Sequence, residues 1–137
     1  MCIRIQGNKM DRKIIGIAAF IGMTAIILGA FGAHALKNHL TMQELSTFET
    51  GVKYQMYQAL FLLFLGLNTI VTEKAKTILF RLIVSGVILF SGSIYLLATK
   101  NLSGINFKPI GILTPIGGAL LIAGWGSLFW QMIKKKQ

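Results

Sequence analysis

Two histidines are the side chains of this sequence best suited to bind a metal or to transfer a proton near neutral pH. His34 and His39 lie five residues apart in the segment GAFGAHALKNHL. That spacing turns two side chains about 140° from one another on an ideal helix, so the imidazoles would not face a common ligand. We expect His34 to form hydrogen bonds at the end of a helix, with a binding role as the alternative. We expect His39 to be exposed to solvent or to lie on the interfacial segment that follows the first span.

Acidic residues give little support to a catalytic or ion-coupled site. Asp11, Glu44, Glu49 and Glu73 all lie outside the long apolar segments, whereas carboxylates within a membrane mark many proton and cation pathways. The sequence contains no HExxH, GxGxxG or P-loop motif, and its single cysteine, Cys2, cannot form an internal disulfide or a cysteine metal cluster. We therefore predict neither an enzyme nor a bound cofactor or metal.

Four long apolar segments must position the polar residues. The chain is 54% hydrophobic and 13% charged, whereas soluble domains carry about 25% charged residues. A bilayer core about 30 Å thick needs roughly 20 helical residues. Segments of about this length or longer, with almost no charge, lie at 14–35, 54–72, 78–99 and 109–133. We predict an all-α fold: an integral membrane bundle of four transmembrane helices, forming a single membrane domain over residues 1–137.

The segment between the first two spans predicts a short interfacial helix. Thr41 and Glu44 have the spacing of a capping box, and Gly51 is suited to end a helix. Leu45 and Phe48 would then share one face, three residues apart. We expect this helix to lie on the outer membrane surface.

Basic residues predict that both termini are cytoplasmic. Of the 14 lysines and arginines, four precede the first span, and three follow the fourth. Three more are Lys74 and Lys76 between the second and third spans and Arg81 near the start of the third, where a long side chain reaches back to the headgroups. The remaining four lie on the opposite side, so the positive-inside rule sets the orientation in the plasma membrane. Since the basic residues lie at membrane edges without interleaved stacking aromatics, we expect the lipid bilayer as a partner and no nucleic acid.

The N-terminal residues allow two interpretations. Met10 is an alternative start site, so residues 1–9 would be either untranslated or a disordered extension.

The AHA tripeptide at 33–35 resembles a signal-peptidase site. Because the apolar run before it is longer than that of a signal peptide, we predict that the first span is retained.

Small residues in the first and fourth spans predict close helix packing, because helices in lipid associate where small side chains let backbones approach. They recur at intervals of three, four or seven residues, which favours one stripe on each helix. The set comprises Ala18, Gly22, Ala25, Gly29, Gly32, Ala33, Gly117, Ala119, Ala123 and Gly124. The pattern predicts a structural or interaction module that associates through glycine-rich faces, as a homo-oligomer or with another membrane protein.

Polar side chains gather in the predicted outer halves of the spans. They are His34, Tyr54, Gln55, Tyr57, Gln58, Ser91, Ser93, Tyr95 and Thr114. We expect a polar network in which His34 bonds Gln55 or Gln58. The alternative is a binding or transport module in which this cluster holds a small polar solute or a lipid headgroup. Trp125 and Trp130 are interpreted as members of an interfacial aromatic belt.

Four segments resemble a known family. GAFGAHALK, ETGVKYQMYQAL, FSGSIYLLA and ILTPIGGALLIAGW have the order and spacing of the signature segments of the YwdK/YgdD family of small bacterial plasma-membrane proteins. The resemblance extends from about Lys13 to Trp130. It implies a four-span membrane protein with no established activity, substrate or cofactor. The family commonly has a histidine where this chain has Gln58, which weakens any metal or haem site formed with His34.

Overall fold

Four long helices account for most of the chain. The computed structural model describes residues 7–106 and 108–134, and every regular element within those ranges is helical. Short 3-10 helices precede the second and fourth long helices. The α-helices are α1 (Lys9–His34), α2 (Met42–Leu67), α3 (Glu73–Ala98), the single turn α4 (Lys100–Ser103) and α5 (Leu113–Lys134). Cys2, most of the predicted N-terminal extension and two of the C-terminal lysines lie outside the described residues.

Three helices of the described residues are long and apolar enough to cross a membrane. They are Lys9–Asn38, Glu73–Ala98 and Lys108–Lys134, which correspond to the first, third and fourth predicted spans. The second predicted span, 54–72, is not among them, because Lys53, Gln55 and Gln58 lower the mean hydropathy of α2. The prediction of an all-helical fold is confirmed, whereas the prediction of four spans is supported for three helices only.

The capping box predicted at Thr41 is present, but the helix that it starts does not end at Gly51. The backbone N–H of Glu44 donates to Thr41 Oγ1 at 3.2 Å, and the backbone N–H of Thr41 donates to Glu44 Oε2 at 2.9 Å. Helix α2 then continues for 26 residues to Leu67, so the prediction of a separate interfacial helix is wrong. Gly51 serves close packing instead, since a Cβ there would lie 2.7 Å from Tyr95 Cε1 of α3.

A tight connection joins α2 to α3. The side-chain oxygen of Asn68 accepts hydrogen bonds from the backbone N–H groups of Ile70 and Val71, at 2.8 and 3.0 Å. Thr72 then caps α3, with its hydroxyl accepting from the backbone N–H of Ala75 at 3.4 Å. Helix α2 therefore ends at Leu67, before the predicted boundary at position 72.

Helices α1 and α2 pack antiparallel through the small residues of α1. A Cβ on the glycines would lie 3.1 to 3.6 Å from a side chain of α2. The facing pairs are Gly22 with Ala59, Gly29 with Val52, and Gly32 with Phe48. Ala18 and Ala25 are fully buried, whereas Ala33 is exposed and does not belong to the predicted stripe. The glycine-rich face of α1 is therefore covered by α2 of the same chain.

Helices α3 and α5 pack antiparallel in a similar way. Gly117 lies against the backbone of α3 at Phe90, and a Cβ on Gly124 would lie 2.6 Å from Ile83 Cδ1. Ala119 and Ala123, predicted on the same stripe, are exposed. The reason is helical geometry, because Ala119 is turned about 200° from Gly117.

Helices α2 and α3 form the middle of the bundle, with α1 packed chiefly on α2 and α5 packed chiefly on α3. The core contains Ile14, Leu62, Leu65, Leu79 and Ile83, all at 0% exposure. By contrast, Ile26 is 66% exposed and Ile122 is 75% exposed. An exterior of large apolar side chains is the surface expected of a bundle that faces lipid.

Candidate functional site

Gln55 of α2 joins three helices through its side-chain amide. The residue is 7% exposed. Its Nε2 donates to the carbonyl of Ile21 at 3.0 Å and to Thr24 Oγ1 at 2.8 Å, while Tyr95 OH donates to its Oε1 at 2.7 Å. Because a backbone carbonyl can only accept, this amide has one chemically consistent orientation. Both ends of the Gln55 amide are therefore paired within the bundle.

Two buried serines of α3 link it to its neighbours. Ser91 Oγ donates to the carbonyl of Gly51 at 2.8 Å, an approach that the absence of a side chain on Gly51 permits. Ser93 Oγ lies 2.6 Å from Thr114 Oγ1 of α5. Much of the predicted polar cluster is thus joined by hydrogen bonds between helices. These bonds give the polar side chains partners that the surrounding lipid chains could not provide.

Gln58 differs from Gln55 because half of its amide has no partner. It is 5% exposed, and its Oε1 accepts from Trp125 Nε1 at 3.2 Å. An indole N–H only donates, so the amide oxygen must face Trp125 and the NH₂ group must point elsewhere. Within residues 7–106 and 108–134, Gln58 Nε2 makes no hydrogen bond.

Gln58 lines an apolar groove between α2 and α5, closed at its base by α3, which we call the Gln58 groove. Its volume is about 690 Å³, within the range of small-molecule sites. Aromatic and aliphatic side chains form most of the wall. The lining residues are Tyr54, Gln58, Phe90, Gly118, Leu121, Ile122, Trp125, Gly126 and Phe129. The groove opens sideways, toward the surface that would face lipid.

The Gln58 groove lies near the middle of the helices. Gln58 is nine residues from the end of α2 at Leu67, and Trp125 is nine residues from the end of α5 at Lys134. Each is therefore about 14 Å from the same end of the bundle, close to half the thickness of a bilayer core. Trp125 therefore lies well inside α5, whereas the nearer residue to the end of that helix is Trp130.

The remaining predicted residues lie apart from the buried network. His34 is exposed at the end of α1, so the expected hydrogen bond to Gln55 or Gln58 is not made. Tyr54 and Tyr57 are 42% and 54% exposed. Tyr54 contributes to the Gln58 groove, whereas Tyr57 lines a second apolar depression of about 510 Å³ on the other side of Trp125.

Thr24 is the network residue that the sequence analysis missed. It accepts from Gln55 and donates to the backbone carbonyls of Phe20 and Ile21, both at 3.0 Å. A signal was present, because Thr24 is the only side chain between Ile14 and Ala33 that forms conventional hydrogen bonds. A lone polar residue inside a span usually faces another helix.

An ion pair lies at one end of the bundle and a hydrogen-bonded carboxylate lies at the other. Lys76 of α3, 2% exposed, forms an ion pair of 2.5 Å with Asp11 of α1. At the other end, the Glu44 carboxylate accepts from Thr41 and from the side chain of Asn101. The backbone hydrogen bond from Thr41 is the main reason that the pKa of Glu44 lies below its ordinary value.

Comparison with known proteins identifies membrane relatives. The family described as Protein of unknown function (DUF423) matches residues 28–118. A UPF0382 membrane protein of Staphylococcus saprophyticus is 40% identical over 114 residues, covering 83% of this chain and 91% of the relative. The UPF0382 membrane protein YwdK of Bacillus subtilis is 34% identical over 122 residues, covering 83% and 90%. The UPF0382 inner membrane protein YgdD of Escherichia coli is 32% identical over 131 residues, covering 93% and 94%. No solved structure matches the chain.

Proposed function

Because the chain belongs to the DUF423 family, whose relatives are UPF0382 membrane proteins of unknown function, we propose its function from its own geometry. We infer that it is a binding module of the membrane, and that its ligand occupies the Gln58 groove. This is the binding alternative of the sequence analysis, moved from the outer polar cluster to the middle of the bundle. The paired side chains of Gln55, Ser91 and Ser93 hold the helices together around it.

The unpaired amide N–H of Gln58 is the observation that carries this proposal. Leaving such a group in an apolar environment costs free energy, and neither water nor a lipid chain supplies an acceptor near the bilayer midplane. A ligand with an acceptor atom would remove that cost. The adjoining space of about 690 Å³ and its aromatic wall would provide the apolar contact.

Two glycine variants test the proposal. A Cβ on Gly126, which lines the groove, would meet no atom within 4 Å, and the same is true of Gly16 on α1, which is not part of the groove. Gly126→Leu should fill the groove without disturbing the fold, and Gly16→Leu is the matched control. Native mass spectrometry of protein transferred from cell membranes into lipid nanodiscs should show an added mass that only Gly126→Leu abolishes. An unchanged spectrum for Gly126→Leu, or no added mass on the unmodified protein, would refute a binding function.

The second candidate is association with another copy or another membrane protein. The glycine faces first expected to associate are occupied within the chain, but Ala119 and Ala123 remain exposed one turn apart on α5. Small residues at this spacing allow close approach of a further helix. If they form an interface, Ala123→Leu should convert oligomers in nanodiscs to monomers. Ala30→Leu, at an exposed position of α1, should leave the oligomers unchanged. A monomeric unmodified protein would contradict this candidate.

We also propose that α2 crosses the plasma membrane, making four crossings with both termini in the cytoplasm. Helix α2 follows α1 along nearly its whole length, so a bilayer that contains α1 also surrounds α2. The name of the YgdD relative, an inner membrane protein, supports the location. Alkaline phosphatase fused after Lys134 should be inactive, and the same enzyme inserted at Gly104 should be active. Activity after Lys134 would overturn this topology.

A further inference from the structure

We propose that the ligand of the Gln58 groove is a neutral, membrane-soluble carbonyl compound of the prenylated quinone class. The inference rests on the binding function proposed above and specifies its ligand. The contact that defines the class is a hydrogen bond from Gln58 Nε2 to a ligand carbonyl. Since Trp125 holds the amide oxygen at 3.2 Å, the NH₂ group stays oriented as a donor.

The wall of the groove favours an uncharged acceptor. None of the nine residues that line it carries a charge. A carboxylate or phosphate bound here would therefore be desolvated without a counter-ion, which is strongly unfavourable in a low-dielectric site. A carbonyl oxygen accepts the same hydrogen bond without that cost, so a neutral carbonyl is the better match.

The depth of the groove separates this ligand from ordinary phospholipids. Gln58 lies nine residues, about 14 Å, from the end of α2. Phospholipid ester carbonyls lie near the headgroups, at the edge of a bilayer core about 30 Å thick, and would not reach it. A prenylated quinone has no charged headgroup to anchor it at the surface, and its ring can enter the bilayer interior.

The side chains around Gln58 suit a flat ring. Tyr54 and Phe90 pack together with ring centroids 5.0 Å apart, and Trp125 and Phe129 lie on the α5 side of the same groove. Aromatic faces favour offset or edge contacts with another planar π-system. The lateral opening would leave the prenyl tail among lipid chains, so the groove has to enclose only the ring and the first part of the tail.

Trp125 provides the measurement, because quinones quench indole fluorescence on contact. A Trp130→Phe protein leaves Trp125 as the single tryptophan, and Trp125→Phe with Trp130 retained reports collisional quenching in the bilayer. In phosphatidylcholine vesicles, a benzoquinone carrying two prenyl units should quench Trp125 saturably. Gln58→Leu should weaken this binding about tenfold, since a buried hydrogen bond to a neutral partner is lost. The infrared band of a ¹³C-labelled quinone carbonyl should shift to lower frequency when bound, and not with Gln58→Leu.

A competitor without a carbonyl separates failure of this inference from failure of the binding function. The dimethyl ether of the same prenylated hydroquinone keeps the ring and tail but has only weak acceptors. If it competes as well as the quinone, or if the infrared shift survives Gln58→Leu, the carbonyl assignment is wrong and an apolar binding site remains. If quenching of Trp125 is not saturable while native mass spectrometry still shows an added mass sensitive to Gly126→Leu, only the ligand class fails. Absence of both signals would refute both proposals.

Discussion

Gln55 and Gln58 allow a paired test of which buried amide stabilises the bundle. Both residues lie on α2, three positions apart, and both are nearly inaccessible, at 7% and 5% exposure. Replacement of either with leucine removes an amide of similar size and leaves an aliphatic side chain. We expect Gln55→Leu to destabilise the protein clearly and Gln58→Leu to change its stability little, although the two residues are alike in type and burial.

The expected difference follows from the number of hydrogen bonds. Gln55 makes three, at 3.0, 2.8 and 2.7 Å, and side-chain hydrogen bonds between membrane helices average about 0.6 kcal/mol each, so Gln55→Leu should cost roughly 2 kcal/mol. Loss of the acceptor for Tyr95 would add to that cost. Gln58 makes one bond, at 3.2 Å, and its removal also eliminates an unpaired N–H, so the change should lie within about 1 kcal/mol of zero.

Unfolding in mixed micelles measures the two free energies under one condition. The protein in dodecyl maltoside would be titrated with sodium dodecyl sulfate, with loss of structure followed by circular dichroism so that changes around Trp125 do not bias the signal. Gln55→Leu should unfold at a clearly lower denaturant fraction than the unmodified protein and Gln58→Leu. Equal destabilisation by the two variants, or a larger effect of Gln58→Leu, would show that the hydrogen-bond assignment is wrong.

Three further results are expected. Gly117→Ala should destabilise the bundle by about 1 to 3 kcal/mol in the same unfolding assay, because the added Cβ would meet the backbone of α3. Gly126→Ala should be neutral or stabilising, because its Cβ would meet no atom within 4 Å. Equal effects of the two variants would contradict the close packing of α5 on α3. Asp11→Asn should lower the free energy of unfolding by up to about 3 kcal/mol, because it leaves the charge of Lys76 without a partner. Adding Lys76→Met to the Asp11→Asn protein should recover part of that loss. If the losses of the two single variants simply add in the double variant, the two residues are not coupled. Because folding lowers the pKa of Glu44, its carboxylate should stabilise the folded protein at pH values above the ordinary pKa, and this contribution should be lost as the pH falls through the lowered pKa. Glu44→Gln should flatten this part of the curve of unfolding free energy against pH. An unchanged curve would refute the assignment of the pH dependence to Glu44.

Hydropathy identified where apolar helices occur but not where they begin and end. The third span was predicted from position 78, yet α3 begins at Glu73, because Thr72 caps a polar first turn that hydropathy does not register. Gly51 was interpreted as a helix terminator on residue type alone. Its function depends on Tyr95 and Ser91 of α3, which lie 40 or more residues later in the chain. Contacts of that kind cannot be read from local sequence.

The candidate site was predictable in its polar residues but not in its location. The sequence placed Gln55, Tyr95, Ser93 and Thr114 in one polar set, and the structure joins them in interhelical pairs. It could not distinguish Gln58 from Gln55, because the difference lies in which partner each amide meets. Groove formation depends on the separation of α2 from α5, a tertiary property without a local signature.

The ion pair between Asp11 and Lys76 has a consequence for the order in which the helices assemble during synthesis. The two residues are 65 positions apart, so at translation rates of about 5 to 20 residues per second the carboxylate of Asp11 precedes its partner by roughly 3 to 13 s. Helix α1 can enter the bilayer and pair with α2 during that interval. The Asp11 carboxylate at its N-terminal end gains its opposite charge only after Lys76 of α3 has been synthesised, so formation of this ion pair is a late step of co-translational assembly.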